Sequence, residues 1–447
     1  MLSAADNELL TRTGPGTPMG EYFRRHWLPV ALSREIAAPD GPPIRVTVMQ
    51  EKLLAFRDTK GRVGLVDPRC PHRGADLYFG RNEECGIRCV YHGWKFDVNG
   101  KCLDLPNVPE RTAQHMDVSI RAYPAREFGD MVWAYLGPGA PPADVPELEL
   151  GLLPPTHRYV TKKLQQCNWA QSFEGALDTA HFSFLHMPAP SVASNANPLS
   201  QADEKRLAWM RKDPQPRFHF FDHEAGFLIG ASRKADGTDL YWRSTQFMLP
   251  SHSTTPSTLP GDTYFGYTWV PITDHDCWIY TYGWNPVRPI TDEELAKFKA
   301  GWGQMPEVGP DFVPLRNRAN EYLLDREDQK HRTFTGVRGV AEQDAMISES
   351  QGLIYDRTRE TLTATDAGIV RFRRTILAEA KALQEGREPT APRNPQAYTR
   401  RSGSCMAGGD VPFEEAMRRR FGDPGGRAMP EPAYVRPAPL PAVPRTA

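Results

Sequence analysis

The chain has 447 residues, a length that supports two or three domains with their own hydrophobic cores. Its 54 Lys and Arg residues nearly balance 55 Asp and Glu residues, and the formal charge of −1 argues against nucleic acid or an anionic membrane as a partner. The sequence has no apolar run near the ~20 residues of a membrane span, and its polar, acidic first 20 residues lack a secretion signal.

The first 150 residues predict a short lead-in followed by a small β domain. Residues 1–40 are expected to be helical, since residues 21–29 mix large apolar and basic side chains and end at a proline. Residues 41–150 contain short β-branched or alternating stretches separated by turn residues, with a turn predicted at Asn99-Gly100. The predicted strands cover residues 46–49, 53–56, 63–66 and 131–136.

Two loops of this domain carry paired metal-binding side chains. The first reads CPHRG from Cys70 and places His72 two positions later, whereas the second reads CVYHGW from Cys89 and contains His92. Two thiolates and two imidazoles suit either tetrahedral zinc or a [2Fe–2S] cluster with the cysteines on one iron and the histidines on the other. The single residue between Cys70 and His72 is uncommon in zinc sites, and the loop glycines permit tight turns around cluster sulfurs, so the cluster is favoured.

The longer stretches CPHRGADL and CVYHGWKFD resemble the Rieske iron–sulfur proteins, and in particular their oxygenase branch. Respiratory members of that family carry two further cysteines, joined in a disulfide, at the places occupied here by Ala75 and Tyr91. With Cys70 and Cys89 assigned to iron, five of the seven cysteines remain, an odd number that is typical of a reducing compartment. We therefore expect a cytoplasmic protein.

A second group of metal-binding residues follows in the larger domain, predicted over residues 151–385. Residues 171–186 are expected to form one helix, on which Glu174, Asp178 and His181 share a face because they are spaced four and three apart. His186 would lie about 140° further round an ideal helix of 3.6 residues per turn. Both histidines can therefore reach one metal only if the helix loosens, through a π-type turn or an irregular end.

The pattern Asp-x-x-His-x-x-x-x-His resembles the mononuclear iron site of Rieske non-heme iron aromatic ring-hydroxylating oxygenases, in their α (oxygenase) subunit. Two histidines and one carboxylate hold Fe(II) in such sites and leave positions open for O2. The spacing does not reveal the carboxylate, but the resemblance of the segment GVAEQDAM selects Asp344. The alternatives are Glu342, Glu349 and Asp356. Residues 350–358 also resemble the branch that contains phthalate dioxygenase oxygenase components.

The remaining chain predicts an α+β fold. Strand-like alternation at residues 241–247, 263–270 and 278–282 indicates an antiparallel sheet, and residues 291–330 and 356–385 are expected to be helical. The family resemblance implies a helix-grip (START/Bet v1-like) arrangement for this domain. Residues 386–447 are rich in proline and predict an extended arm with helical character only at 413–421. The arm either wraps a neighbouring subunit or is solvated.

The resemblance also implies how the two centres work together. A Rieske cluster carries one electron at a time, and the chain has no flavin or nicotinamide fingerprint and no plant-type ferredoxin cysteines, so NAD(P)H would act through a separate flavin and iron–sulfur reductase. Asp178 is expected to orient His181 and to contact His92 of a neighbouring subunit. That contact requires a ring of at least three subunits, hence a homotrimer or a multiple of it.

The expected substrate is a small aromatic acid. An anionic ring calls for an arginine in an otherwise apolar pocket, and Arg243, followed by Arg217, is the candidate. The expected reaction is cis-dihydroxylation of a phthalate-like ring, with O-demethylation of a methoxylated aromatic acid as the alternative. A Rieske electron-transfer protein without oxygen chemistry, or a zinc-stabilised binding protein, is a further alternative from another class.

Overall fold

The computed structural model of the chain describes residues 2–189, 204–256 and 261–434. The N-terminal segment contains α1 (Ala4–Thr11), α2 (Pro18–Arg24) and β1 (Trp27–Leu32). The Ser3 hydroxyl accepts the Asp6 N–H at the start of α1, and α2 begins with Pro18 after the capping residue Thr17. The prediction that residues 1–40 are helical is therefore wrong for β1, whose buried apolar residues pair with a strand of the following domain.

Short antiparallel strands build this first domain. They are β2 (Ile44–Val48), β3 (Glu51–Arg57), β4 (Val63–Val66), β5 (Arg81–Glu83), β6 (Gly86–Arg88), β7 (Lys95–Phe96), β8 (Cys102–Asp104), β9 (Ala122–Tyr123), β10 (Ala125–Phe128) and β11 (Met131–Tyr135), with the short helix α3 (Glu110–Ala113) after β8. In the described residues they form sheets of order β1-β11-β10, β2-β3-β4-β9 and β5-β6-β7-β8. The two Cys/His loops lie before β5 and between β6 and β7, above a core that includes Phe56, Ile87 and Phe96.

The larger domain is an antiparallel sheet covered by helices. Its elements are β12 (Arg158–Gln165), α4 (Trp169–Leu177), α5 (Glu204–Lys212), β13 (Arg217–His223), β14 (Gly226–Lys234), β15 (Asp239–Met248), β16 (His252–Thr255), β17 (Tyr264–Pro271), β18 (Cys277–Trp284), α6 (Asp292–Lys299), α7 (Arg326–His331), α8 (Val340–Ser350) and α9 (Ala367–Gln384). The strand order is β12-β18-β17-β16-β15-β14-β13. This arrangement confirms the α+β fold class, in which a small β domain precedes a larger sheet-and-helix domain.

Helix α4 is held between the sheet and α9 by aromatic packing. The Phe173 ring centroid lies 4.8 Å from that of Trp269 on β17 and 4.9 Å from that of Phe372 on α9, in edge-to-face and tilted geometries that aromatic pairs prefer. Phe247 on β15 completes the contact at 5.7 Å. This burial fixes the position at which the chain leaves α4.

The predicted continuous helix over residues 171–186 is wrong beyond Leu177. Asp178 has extended backbone angles (φ −79°, ψ 112°), and its Oδ1 accepts the backbone N–H of Ala180 at 2.7 Å. A short polar side chain that bonds nearby backbone groups in this way competes with helical hydrogen bonds and ends the helix. A 3₁₀ turn at His181–Ser183 follows, and Phe184 is again non-helical.

Glu174 does not share a face with the metal-binding residues that follow it. Its buried carboxylate accepts hydrogen bonds from the guanidinium groups of Arg357 and Arg373, at distances from 2.7 to 3.3 Å. Burial opposes its ionisation, but the two guanidinium groups outweigh burial and lower the pKa of Glu174. Glu174 therefore links α4 to Arg357 and to Arg373 of α9, which is a structural role.

The C-terminal segment folds back onto the sheet. Strand β19 (Ser404–Gly408) pairs with the first half of β15, while β16 pairs with the second half, and helix α10 (Phe413–Phe421) follows. Phe413 packs so closely over Gly230 of β14 that an added Cβ would lie 2.0 Å from its ring. The prediction of an extended arm is therefore wrong for β19, whereas the helical character predicted at 413–421 is confirmed by α10. The proline run at 437–444 lies outside the described residues.

The other helical predictions are met in part. Within residues 291–330, α6 and the start of α7 are separated by turns, one of which has positive φ at Glu321 and Tyr322. Within 356–385, only α9 is an α-helix. Among the described helices, none combines the length and apolarity needed to cross a membrane. The domain boundaries at residues 40, 150 and 385 stay predictions.

Candidate metal centres

The two Cys/His loops close with the same pair of backbone hydrogen bonds. In the first loop the Cys70 N–H donates to the Ala75 carbonyl, and the Gly74 N–H donates to the Cys70 carbonyl. In the second, Cys89 donates to Trp94 and Gly93 donates to Cys89 in the same way, and all four distances are 2.8–2.9 Å. The glycines, Gly74 and Gly93, have φ of +73° and +80°, a conformation that favours glycine over all other residues. The loops therefore present Cys70 and Cys89 in equivalent conformations, and both side chains are buried.

The histidines of the two loops lie together beside these cysteines. The ring centroids of His72 and His92 are 4.4 Å apart, and His72 stacks on Trp94 at 4.5 Å. The Nδ1 atom of His72 is buried without a hydrogen-bond partner. A buried ring nitrogen with no partner is costly unless it binds something else, and a metal ligand bond satisfies it.

The cysteines also fit a metal-bound state. Burial, together with the hydrogen bond and charge of Cys89, raises the pKa of the Cys70 thiol to about 11 despite backbone N–H groups that oppose the rise. A protonated thiol is a poor ligand, so a metal cation is needed to stabilise the thiolate. Both loops therefore fit the Cys₂His₂ ligand set of a [2Fe–2S] cluster.

The second centre is a compact group of three side chains from two segments. His181 begins the 3₁₀ turn after α4, His186 lies three residues beyond its end, and Asp344 belongs to α8. The Nε2 atoms of the histidines are 3.0 Å apart, and Asp344 Oδ1 lies 3.2 Å from that of His186 and 3.8 Å from that of His181. The two-histidine, one-carboxylate set fits a non-heme Fe(II) site with open positions.

The metal-binding atoms of the second centre lie unusually close to one another. Across the described residues, only His181, His186 and Asp344 bring three metal-binding atoms within 4.8 Å of one another. The Cys₂His₂ set of the loops fits a two-iron cluster with the cysteines on one iron and the histidines on the other.

The other carboxylates considered for the iron have different partners. Glu342 accepts the backbone N–H of Glu307 at 2.9 Å, and Glu349 accepts hydrogen bonds from Gln165 and from the Tyr322 hydroxyl. Asp356 is exposed and accepts from the backbone and hydroxyl of Thr358. Asp344 is thus the carboxylate that the fold brings to the histidines.

Gln343, which the sequence analysis missed, orients His186. The His186 Nδ1–H donates to Gln343 Oε1 at 2.6 Å, and the Gln343 side-chain amide donates to the Val337 carbonyl at 2.7 Å. This hydrogen bond fixes the ring and leaves Nε2 free for a metal. The position of Gln343 beside Asp344 was the one available signal, and glutamine carries no metal-binding signature of its own.

Asp178 lies against the outer ring nitrogen of His181. Its Oδ2 is 3.6 Å from His181 Nδ1, and its Oδ1 accepts the Ala180 N–H. Burial alone would raise the pKa of Asp178, but the hydrogen bond and charge of His181 outweigh burial and lower it. The carboxylate therefore stays ionised and can hold the His181 ring with Nε2 directed at the iron position.

A cavity opens beside two of the three candidate metal-binding residues. His181 and Asp344 line one side, and side chains from β12, β17 and β18 line the other. The apolar part of the wall contains Ala176, Phe182, Trp269, Ile279 and Ala341, and the polar part contains Lys163, Gln165, Ser172, Thr255, Tyr267, Thr281 and Gln304.

The two arginines chosen from the sequence do not line this cavity. Arg243 is buried, with its guanidinium carbon 4.1 Å from the ring centroid of Phe182, which does line it. Its Nη1 lies 3.9 Å from the sulfur of Met210, and no acid pairs with it in the described part of the chain. Arg217 is exposed and borders a separate open cleft that also reaches His181.

Two family models together match most of the chain. A family model described as the Rieske [2Fe-2S] domain matches residues 26–124, and one described as LigXa C-terminal domain like matches residues 134–403. The chain resembles the fold of dicamba monooxygenase bound to dicamba, with a TM-score of 0.57, 16% identity, and coverage of 82% of this chain and all of that one.

Curated relatives cover most of the chain. The phthalate 4,5-dioxygenase oxygenase subunit of Pseudomonas putida is 39% identical over 86% of this chain and 88% of its own length. The 3-chlorobenzoate-3,4-dioxygenase oxygenase subunit of Comamonas testosteroni is 33% identical over 94% and 99%. The 5,5'-dehydrodivanillate O-demethylase oxygenase subunit of a Sphingobium strain is 30% identical over 88% and 83%.

These matches assign cofactors as well as fold. The protein uses a Rieske [2Fe–2S] cluster and a mononuclear iron, with O2 as co-substrate and electrons supplied by a separate reductase or ferredoxin. The two matched domains account for the two kinds of iron centre. The chain belongs to the Rieske non-heme iron oxygenases and is the terminal oxygenase component of such a system.

Proposed function

We propose that this oxygenase hydroxylates an aromatic carboxylate, by cis-dihydroxylation of a phthalate-like ring. The observation that carries the proposal is the cavity beside His181 and Asp344, which has an apolar wall that includes Phe182 and Trp269 and buried cations nearby without an acid in ion-pair contact among the described residues. An aromatic ring fits the apolar wall, and a carboxylate satisfies a buried cation. Two relatives that span most of the chain are named for phthalate and for chlorobenzoate.

In this proposal the ligands are the residues that the fold brings together. Cys70 and Cys89 hold one iron of the cluster, and His72 and His92 hold the other. His181, His186 and Asp344 hold the mononuclear iron, where O2 is activated with electrons that pass through the cluster. The protein directs the chemistry by holding the ring at the iron and by excluding bulk water from the cavity.

Asp178 is proposed to link the two centres between subunits. Its carboxylate holds His181, and the open cleft beside His181 is lined by Ala180, Phe184 and Arg217. Large apolar side chains are exposed on both surfaces that would meet between subunits. They are Val90 and Tyr91 beside His92, and Phe184 near His181. Exposed apolar surface of this kind favours protein contacts, in keeping with a head-to-tail homotrimer in which His92 of one subunit approaches Asp178 of the next.

Arg243 is proposed to contact an acid group of the substrate through the Phe182 side of the cavity. The guanidinium has no acid partner among described residues. Burial and the Arg243 charge oppose protonation of the His181 imidazole, but Asp178 outweighs them and raises the pKa of His181. Arg217, at the mouth of the open cleft, is the weaker candidate because it is exposed and separated from the inner cavity.

Product mass tests the reaction type. The iron-loaded oxygenase, with a surrogate reductase, NADH and O2, is given phthalate-like and methoxylated aromatic acids. A gain of two hydroxyl groups supports ring cis-dihydroxylation. Loss of a methylene with release of formaldehyde supports O-demethylation, the second candidate, which the similarity to a dehydrodivanillate O-demethylase favours. Failure to convert any aromatic acid, with both iron centres shown to be intact, contradicts the proposed substrate class.

A further inference from the structure

A buried lysine that the sequence analysis did not select lines the cavity. Lys163 lies on β12 opposite Ile279 of β18, and both residues face the cavity beside His181 and Asp344. The side chain is 4% exposed, and its ammonium donates to the Ala341 carbonyl at 2.7 Å. An ammonium has three N–H donors, so two remain for other partners.

Lys163 has no acid partner at ion-pair distance among the described residues, although its charge acts at longer range on Glu342 and Asp344. Within the described residues, no carboxylate oxygen lies within 4.0 Å of its Nζ atom, and Ala341 provides its one hydrogen bond. A buried charge without a counterion is costly, and proteins therefore pair or neutralise such groups. The cavity is the space from which a counterion can approach.

The adjacent Lys162 is also buried, but its charge is paired with a carboxylate. It is equally buried, on the opposite face of β12, and its ammonium pairs with Glu35 at 2.7 Å and lies 4.5 Å from the Trp278 ring centroid. Two neighbouring lysines of equal burial thus differ in one respect. Lys162 has a protein anion, whereas Lys163 faces the cavity without one.

We propose that Lys163 binds an oxyanion of the substrate and that the preferred substrate therefore carries two acidic oxygen groups. The proposal rests on the function proposed above and adds a second anchor to Arg243. Arg243 lies against Phe182, next to His181, whereas Lys163 bonds Ala341, three residues before Asp344. Arg243 thus lies on the His181 side of the proposed iron position and Lys163 on the Asp344 side. A ring with acid groups at two positions can pair with both cations, whereas benzoate can pair with only one.

A purely structural role predicts different behaviour. Through Ala341, Lys163 tethers the first turn of α8, and its charge also favours the ionised form of Asp344. If that were its function, replacement would lower iron content or affect all aromatic acids equally. Binding of an oxyanion predicts instead a loss that depends on the number of acid groups in the ligand.

The experiment measures ligand affinity in the iron-loaded oxygenase by anaerobic calorimetry. The probes are benzoate and the three benzenedicarboxylates, phthalate, isophthalate and terephthalate. Lys163→Met removes the charge at similar length, Lys163→Arg keeps it, and Lys162→Met is the matched control on the other face of the strand. Iron content and the visible spectrum of the cluster are recorded for each variant.

We expect the wild-type protein to bind one dicarboxylate at least tenfold more tightly than benzoate. K163M should lose about tenfold to hundredfold for that dicarboxylate, the range expected for a hydrogen bond to a charged group, and should bind benzoate within about twofold of wild type. K163R should restore part of the loss, and K162M should retain the dicarboxylate preference although its stability is lower. If K163M is not recovered folded, Lys163→Gln takes its place with the same expectations.

Three outcomes overturn the inference. The dicarboxylate preference survives in K163M; or K163M weakens benzoate and dicarboxylates equally; or K163M loses iron while K162M does not, which assigns Lys163 a structural role. A wild-type protein with intact iron that binds none of the four acids contradicts the proposed substrate class itself. That result is distinct from one in which the acids bind and Lys163 makes no difference.

Discussion

The His186 Nδ1 atom lies 2.6 Å from Gln343 Oε1, and Gln343 is the residue directly before Asp344. One turn of α8 therefore supplies both the carboxylate proposed to bind iron and the group that hydrogen-bonds the proposed histidine ligand. Glutamine performs this task by accepting one hydrogen bond and donating another to the Val337 carbonyl, so that its own side chain is fixed.

Replacement of Gln343 by leucine should weaken iron binding by about 10- to 100-fold, because the His186 ring loses the hydrogen bond that fixes its orientation. The measurement is iron retained after dialysis against increasing concentrations of a chelator. Q343E keeps an acceptor for His186 Nδ1 and should retain more iron than Q343L. Equal iron affinity in wild type and Q343L would contradict the orienting role.

Asp178→Asn should lower product formation by about 10- to 100-fold with both iron centres retained. The amide oxygen can still accept the Ala180 N–H, so the turn persists, but the negative charge beside His181 is lost. Single-turnover assays with a chemically reduced cluster report both product and cluster reoxidation. Asp356→Asn, which removes an exposed carboxylate, should behave as wild type; normal turnover in D178N would show that Asp178 does not link the centres.

The two loop glycines should differ in their tolerance of alanine. Both have positive φ, which costs an L-residue roughly 1–2 kcal/mol. A Cβ on Gly74 meets no atom within 4 Å, whereas a Cβ on Gly93 would lie 2.6 Å from Pro106 Cγ. G74A should retain its cluster with a small loss of stability, whereas G93A should lose most of its cluster. Iron and acid-labile sulfide per chain measure the difference, and equal cluster content in both would contradict the role given to Pro106.

Acid should destabilise the fold through histidines that are buried in neutral form. Burial lowers the pKa of His252 and His223 to about 3 and that of His26 to about 4, from about 6.5 in the unfolded chain. Unfolding therefore takes up protons, and the free energy of unfolding should fall as pH decreases from about 6.5 towards 3.

Thermal unfolding followed by circular dichroism at pH 7.5, 6.5 and 5.5 measures this dependence. His252→Asn should show a shallower fall, by up to about 1.4 kcal/mol per pH unit, because one proton fewer is taken up. Mutation of the exposed His275 to Asn provides the control and should leave the slope unchanged. An H252N slope equal to that of wild type would contradict the protonation of His252 on unfolding.

Local spacing made much of the site predictable. The cysteine, histidine and glycine of each loop lie within five residues of one another, so their types and spacing indicated the cluster directly. His181 and His186 were found in the same way, and an irregular helix end was one of the two predicted ways for them to meet. Its position was not predicted, since the helix break depends on the Asp178 side chain bonding to Ala180. Asp344 lies far along the chain, and the resemblance to a family was needed to select it.

Lys163 and strand β19 were beyond sequence reasoning for a different reason. Lys162 and Lys163 are the same residue type in one strand, and only the fold decides that one faces Glu35 and the other faces the cavity. The β19 sequence, SCMAG, has no alternation typical of a strand. It is a strand because β15 offers unpaired backbone groups there.

The pairing of β19 with β15 has a consequence for biosynthesis. The first half of β15 has no partner on one side until residues 404–408 have been synthesised and have left the ribosome. During that interval the nascent catalytic sheet exposes a row of backbone donors and acceptors, the surface through which strands associate with other chains. The end of the chain thus closes the sheet, and premature termination before residue 404 leaves a polypeptide that contains every proposed iron ligand and an open, aggregation-prone edge.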